Sequence, residues 1–517
     1  MRNRPGSLAI ALLLFAACGD GSVGGDPVPA PPSPTPAPQP TAAPLTATLT
    51  HDFGRYELGP GEEVASQCVS WTLGNEQSLW VSGVTISNQG AFHHSNWFVV
   101  PDDMYEGPDG YWNCRERQFD ELGSAVAGTV LFAQSTQSQT ETQRFGEGAV
   151  IKVPPHHKVV AGVHMLNPSA RTLTTEFRMT LEVVHPSNVE ALLLPFRLSY
   201  YALDIPPRSE ARYSAECDLA ALAEAVSGEA ELDLELDYVL PHYHYRGNFF
   251  EVSILGGPRD GEVLHGIERF DGEANGKLFD TPIDLRGARG LRMTCGFENP
   301  TDEEIGWGIG DQEMCVMLGL ARTSVMMDAW VDDTTNVDEG LVDGIYRRRG
   351  DCEGIAVPAN PAQQGPTEAE RAGPLYLPPV LVDDEGLDPI LPCIDVPADA
   401  APEEPATFAS IRETVLTPSC GFTACHDAEN PAAGLDLVTD PYAALIDRPV
   451  RSAITTMPLV MPGDADRSWL YKLLSECEPN DDEGRIVASM PRNYSTLLDP
   501  AVVGKVRRWI EQGARNN

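Results

Sequence analysis

The stretch TTEFRMTLEVV, residues 174–184, is built from Thr, Val and other apolar residues around a central aromatic. Such side chains fit a pleated, half-buried surface better than a helix, where branching at Cβ restricts χ1. The same texture recurs in SLWVSGVTIS (78–87) and NWFVVP (96–101), with Gly, Pro and Asn between the runs. It extends over residues 47–186 and again over 187–355, where only CDLAALAEAV (217–226) reads as helical. The expected fold is mainly β, with two tandem β-sandwich, jelly-roll-like domains.

Beyond them the composition shifts. Residues 356–405 are rich in Pro, Ala, Asp and Glu with little periodicity, and read as an acidic linker draped over a neighbour. Residues 406–517 change character again. Phe408, Ile411, Val415 and Leu416 recur at helical spacing, Asp499 and Pro500 form a cap and first-turn pair, and Val502, Val503, Val506, Trp509 and Ile510 make one stripe. This is a small all-α domain.

The 517 residues carry 76 Asp plus Glu against 36 Lys plus Arg, a formal charge of −40, which argues against nucleic acid or an anionic lipid surface as partner. Arg2 and Arg4 precede a short apolar run, residues 8–15, and then Ala16, Ala17 and Cys18. The run is too short to span a membrane and reads as an export signal. Small residues before Cys18 resemble a bacterial lipobox, which implies a signal peptide over 1–18 and lipidation of Cys18; an ordinary signal peptide with an incidental Cys is the alternative. Residues 19–46, rich in Gly and then Pro, form a tether. The expected location is the bacterial cell envelope, with the membrane engaged by the lipid alone.

Four places carry imidazole or soft ligand chemistry: FHHSNWF with His93 and His94, GVHMLN with His164, PHYHYRG with His242 and His244, and DQEMC with Met314. Alternate strand residues share a face, so His242 and His244 could hold one ion from a sheet. The adjacent pair His93 and His94 needs a bulge or bend to converge. His156 and His157 read as a loop feature with a swapped ligand role left open, and His51, His185 and His265 receive no role.

The order HH, H, HxH, MC within two β-domains of an exported chain resembles the copper type II, ascorbate-dependent monooxygenases, the family of peptidylglycine hydroxylating monooxygenase and dopamine beta-monooxygenase, over residues 47–335. The resemblance implies that His93, His94 and His164 hold an electron-transferring copper. It implies that His242, His244 and Met314 hold the catalytic copper, where dioxygen and a small organic substrate meet and a C–H bond is hydroxylated. Electrons then cross a solvent-filled cleft from the first copper, supplied by ascorbate, another reductant or an electron-transfer protein. Thioether ligation suits Cu(I). The resemblance also implies disulfides Cys68–Cys114 and Cys295–Cys315; Cys217 and Cys352 are plausible partners for another. Where amidating members place an Arg, an Asn and a Tyr for the substrate, this chain has Leu240, Val316 and Leu318. A peptide substrate is disfavoured and an apolar or aromatic one favoured.

PSCGFTACHD places Cys420, Cys425 and His426 in a C-x4-C-H arrangement, wider than the common C-x-x-C-H haem signature. Residues 406–517 resemble a cytochrome c-like module with covalent haem on Cys420 and Cys425, His426 as one axial ligand and Met490 as the other, with Met457 and Met461 as rivals. A Cys420–Cys425 disulfide in a haem-free relative is the alternative. Of eleven cysteines, setting aside Cys18 and a haem pair leaves eight, with Cys393 and Cys477 as the residual couple. The expected function is an exported copper monooxygenase fed by its own haem domain or an external reductant. A non-catalytic copper-binding or electron-transfer lipoprotein is the alternative, and a purely structural β-sandwich surface protein ranks last.

Overall fold

Phe177, Met179, Leu181 and Val183 are buried and alternate with half-buried Arg178, Thr180 and Glu182. A strand with one apolar face must cover it with another layer. The computed structural model describes residues 45–88, 90, 92–134, 140–167, 172–244, 246–268, 276–308, 312–379, 393–421, 425–428, 431, 434–446, 455–482, 484, 487, 489–491 and 497–517, with the side chains of 92–94 and 134 excepted. The signal, Cys18 and the tether up to residue 44 lie outside the described residues.

The first sheet runs β1 (Thr46–Leu58), β10 (Leu173–Val184), β3 (Leu79–Asn88), β8 (Ala149–Val153) and β11 (Ala191–Leu192), with β7 (Thr140–Arg144) also on β3. The second runs β5 (Gly110–Asn113), β2 (Glu63–Thr72), β9 (His157–Leu166), β4 (Phe92–Pro101) and β6 (Thr129–Gln134). Between them lies one core of buried residues, including Leu49, Val84, Phe177 and Leu181 from the first and Val69, Trp97, Ala161 and Val163 from the second.

A third sheet has the order β18 (Lys277–Asp284), β15 (Glu235–His242), β21 (Val316–Arg322), β12 (Leu194–Tyr200), β22 (Val325–Val331) and β25 (Glu353–Pro358). A fourth has β17 (Val263–Ile267), β16 (Gly247–Leu255), β19 (Gly290–Asn299), β14 (Ser209–Cys217), β24 (Ile345–Asp351) and β23 (Asn336–Val342), and β13 (Asp204–Ile205) pairs β20 (Ile305–Gly306) apart from them. Leu198, Val239, Met317 and Ala329 of the third sheet share a core with Tyr213, Phe250, Val252 and Met293 of the fourth. The fold is therefore mainly β, with sandwich-like pairs of sheets. CDLAALAEAV contains helix α2 (Leu219–Ser227), capped by Asp218, whose carboxylate accepts from Ala221 N at 3.0 Å.

β25 runs past residue 355, and the chain after it lies against the first two sheets. Asn360 Nδ2 donates to Ala127 O (2.9 Å), Lys152 Nζ to Gln364 O (2.8 Å), and Glu76 N to the Tyr376 hydroxyl (2.8 Å). Leu375 and Tyr376 pack on the first core. Polar side chains carry most of this strap, which explains why its sequence shows no hydrophobic period.

In the last hundred residues Phe408, Ile411, Val415, Leu416, Val503, Val506, Trp509 and Ile510 share a separate core. α8 (Pro500–Glu511) starts with Pro500 in its first turn and Asp499 as cap, its carboxylate accepting from Ala501 N at 2.9 Å. Buried Lys505 reaches from α8 to α4 (Phe408–Ile411) and the turn after it, donating to Ser410 Oγ (3.1 Å) and Thr414 Oγ1 (3.0 Å), with Glu403 Oε2 at 3.0 Å. A buried ammonium with three partners is tolerable where an unpaired one is not.

Four disulfides join Cys68–Cys114, Cys217–Cys352, Cys295–Cys315 and Cys393–Cys477, with Cα separations of 5.0, 4.7, 5.8 and 5.8 Å. Bridges at this density belong to an oxidising compartment. Among the described residues no helix is long and apolar enough to cross a membrane.

His51 belongs to the first core's edge. Its ring stacks on Trp71 at 4.6 Å and meets Phe53 edge-on at 4.8 Å. Burial lowers its pKa to about 4, against the opposing pull of Asp109 and Asp52. The folded state therefore resists a proton that the unfolded chain accepts near pH 6.5. Its contribution is intact above that pH and is lost as pH falls toward 4, by roughly 2–3 kcal/mol. We expect His51→Phe to lose less stability than the parent between pH 7 and 4.5, read from urea unfolding; equal losses would show that His51 does not titrate this way.

Candidate functional site

β15 ends on His242, which pairs with Val316 of β21. Counting on in the same antiparallel register places His244 opposite Met314. The contacts agree with that placement: His244 Nδ1 bonds to Gln312 O at 2.7 Å, and His244 N donates to Glu313 Oε2 at 2.8 Å. Arg246 N donates to the other oxygen, Glu313 Oε1, at 2.9 Å. Glu313 is fully buried, and burial raises its carboxyl pKa while these backbone donors and the nearby His244 and Arg246 pull it down. One side chain thus ties the turn carrying His244 to the residue before Met314. Cys315, the residue after it, is bridged to Cys295 on β19.

Tyr243, between the two histidines, points the other way into the core and lies over Gly247, where a Cβ would meet its ring at 2.1 Å. Glycine at 247 is what lets the ring lie there, and the buried ring holds both neighbouring imidazoles on the outer face. Those imidazoles stand 5.4 Å apart, edge to face. Two rings on one first-row ion, each bound at about 2.0 Å, have centres no more than roughly 6.5 Å apart, so the spacing fits a shared ion. Burial lowers the pKa of His242 to about 3, with a further push from His244, and keeps its imidazole neutral as ligation requires. The bond from His244 Nδ1 to Gln312 O leaves Nε2 as its outward nitrogen.

On the second sheet His94 pairs with His164, and the register slips between Phe92 and His94, so His93 is the extra residue of a bulge. The side chains of His93 and His94 lie outside the described residues. His164 Nε2 bonds to Glu63 Oε1 at 2.7 Å, and that bond holds the Glu63 carboxyl below its usual range. A carboxylate on one ring nitrogen orients the other. His157 begins the same strand, seven residues and roughly 23 Å from His164. It is buried, with Nδ1 bonded to Pro155 O at 2.8 Å, and His156 before it has positive φ in the turn. That distance removes any exchange of roles with His164.

The alternation that buries Phe196, Leu198 and Met317 leaves Leu240, Leu318 and Arg197 in one row on the outer face of the third sheet, and His242, Val316, Ser199 and Trp330 in the next. Leu240 and Leu318 pack onto the first core, around a void of about 20 Å³ shared with Leu131 and Ala133 of β6. That is room for about one water. The seam between the sheet pairs is therefore narrow and mainly apolar at this row. Further along, Asn96 Nδ2 approaches both Glu121 oxygens at 3.3 Å, and Glu121, its pKa raised by burial, feels the Arg197 charge.

At the C-terminal end, Cys420 and Cys425 belong to none of the four disulfides. Burial and the nearby Cys425 push the Cys420 thiol up to about 12. His426 N donates to Cys420 O at 3.0 Å, and Leu437 N to His426 O at 2.9 Å. Cys420 and Met490 both pack against the same helical core. Residues 422–424 between the cysteines lie outside the described residues.

Among the described residues no group of three His, Cys, Asp or Glu side chains is placed to hold a metal; this leaves thioether ligands out of account. Glu313 and Glu63 had no signal in the sequence. Glu313 adjoins Met314, but only the register shows that it clamps the turn of His244.

No known protein family matches the chain, and no curated protein does. Partial likenesses among solved structures include an archaeal virus protein with a triple jelly roll fold (8% identity, 51% of this chain and 58% of that one, TM-score 0.15). Others are the infectious bursal disease virus Gx strain (9%, 56% and 45%, 0.14) and an infectious bursal disease virus VP2 subviral particle (7%, 55% and 74%, 0.13). The chain thus spans just over half of the first of these. At such scores the site has to be read from its own residues.

Proposed function

We propose that the chain is an exported copper-dependent monooxygenase. The observation that supports this best is the pair of imidazoles of His242 and His244, 5.4 Å apart, with His244 tied to Gln312 and Glu313, the two residues before Met314. Bound copper would supply one-electron redox chemistry and a place for dioxygen to be reduced. His242, His244 and Met314 would hold it, with His93, His94 and His164 at a second position. The protein's own part is to keep His242 neutral, fix the outward nitrogen of His244 through Gln312 O, and present the thioether between two anchored neighbours.

Cys420 and Cys425 would carry a covalent haem, with His426 and Met490 as axial ligands. A one-electron carrier in the same chain raises the donor's effective concentration at the first copper. Cys18 would anchor the chain by lipid at the cell envelope, leaving residues 19–46 as tether. In the alternative reading, a copper-binding or electron-transfer lipoprotein, the same ligands bind copper without turnover.

Protein matured in a bacterial periplasm should contain about two coppers and show a covalent-haem absorption spectrum. After reduction, its haem should reoxidise only when copper, dioxygen and substrate are all present. Copper without haem would remove the internal donor. Haem that stays reduced, with no substrate-dependent oxygen uptake, would favour the alternative.

A further inference from the structure

The outer face of the third sheet continues past the histidines into an aromatic group. Ser199 pairs with Val316 on one side and with Trp330 on the other, and Tyr200 N donates to Cys315 O at 2.9 Å. Carried one residue further, this register sets Tyr201 opposite Met314, on the side away from His244. Trp307 joins them from a different direction. It bridges to Glu313, and its ring meets Tyr201 edge-on at 4.6 Å; Trp330 stands 6.5 Å from Tyr201. All three residues are half-buried, Trp307 partly against the core between the third and fourth sheets, so the group keeps surface for a ligand.

The charges nearby are closed off. Arg197 is held by Asp328 through two bonds, Nε to Oδ1 at 2.9 Å and Nη2 to Oδ2 at 2.6 Å. Toward β15 the neighbours in these rows, Val316, Leu318 and Leu240, are apolar, and on its far side Trp330 pairs with the exposed Glu353. A ligand bearing a negative charge would bring it to a half-buried surface where, among the described residues, no unpaired cation stands and Glu353 repels it.

We propose that Tyr201, Trp307 and Trp330 form a binding platform for an aromatic group without negative charge, placed toward Met314 and determining which substrates reach it. As a statement about substrate this rests on the monooxygenase reading; as a statement about binding it needs no copper. Ring contacts of this kind add about 0.5–1.5 kcal/mol beyond the area they bury, so losing one ring with its buried area should weaken binding roughly tenfold.

The test is fluorine NMR line broadening of para-fluorobenzyl alcohol titrated into the full chain, with and without copper. Saturable binding is expected in both states with closely similar Kd. Tyr201→Leu and Trp330→Leu should each weaken it about tenfold, and Tyr201→Phe should retain it. The fluorinated phenylacetate and cyclohexylmethanol analogues should bind at least about tenfold more weakly. Binding indifferent to Tyr201 and Trp330, or tighter for the anionic or the non-aromatic analogue, overturns the platform. Copper uptake without this binding overturns the platform alone; the binding with no copper uptake supports the platform and overturns the copper reading alone.

Discussion

Met314→Ile is expected to weaken Cu(I) binding at the second centre roughly 100-fold and to reduce substrate-dependent oxygen uptake at least as far, with the fold preserved. Isoleucine matches methionine closely in volume, so the packing change costs less than about 1.5 kcal/mol. What it removes is the thioether, a ligand that favours the reduced metal. Copper content should fall from about two per chain to one when a Cu(I) chelator competes, because His93, His94 and His164 sit on another sheet. Unchanged uptake and unchanged Cu(I) retention would show that Met314 is not a ligand. Lost copper with a shifted unfolding midpoint would instead mark a packing residue.

Glu313→Ala is expected to give the largest loss of stability near the site, about 2–4 kcal/mol. The carboxylate is fully buried and accepts from the backbone of both His244 and Arg246, at 2.8 and 2.9 Å. Without it the buried N–H of Arg246 and the half-buried N–H of His244 lose their acceptors, at about 1–3 kcal/mol for a buried group and less where water can reach. Glu313→Gln keeps one acceptor oxygen and should recover part of the loss. Urea unfolding of the disulfide-intact protein measures both. If the alanine variant unfolds at the parent's midpoint, the two N–H groups have found water and Glu313 does not organise the turn. A stable variant that binds one copper fewer would place its role at the metal centre instead.

Much of the local structure was legible along the chain. The strand at 174–184, the helix in CDLAALAEAV, the Asp499–Pro500 start of α8 and its buried stripe all depend on side-chain shape and capping within a few residues of one another. The strap after β25 was harder. Its composition marked it as a linker, but Asn360, Lys152 and Tyr376 form their hydrogen bonds across more than 200 residues of sequence, and no local pattern announces such partners.

The candidate site divides in the same way. Histidine and methionine spacing pointed to ligand chemistry because alternate residues of a strand share a face, a rule that holds without knowing the strand's neighbours. That His93 and His94 would need a bulge or bend to converge was also legible, since adjacent strand residues point apart, and the register shift there came with the structure. Glu63 beside His164, Glu313 under His244, and Tyr201 against Trp307 came only with the folded sheets. Register is fixed by which strands pair and by how both their faces are buried, and those are properties of the whole packed chain. Residue types thus specified strands, caps and possible ligands, whereas the assembled sheets decided which of these residues meet, because cross-strand neighbours are set by tertiary burial and not by separation along the chain.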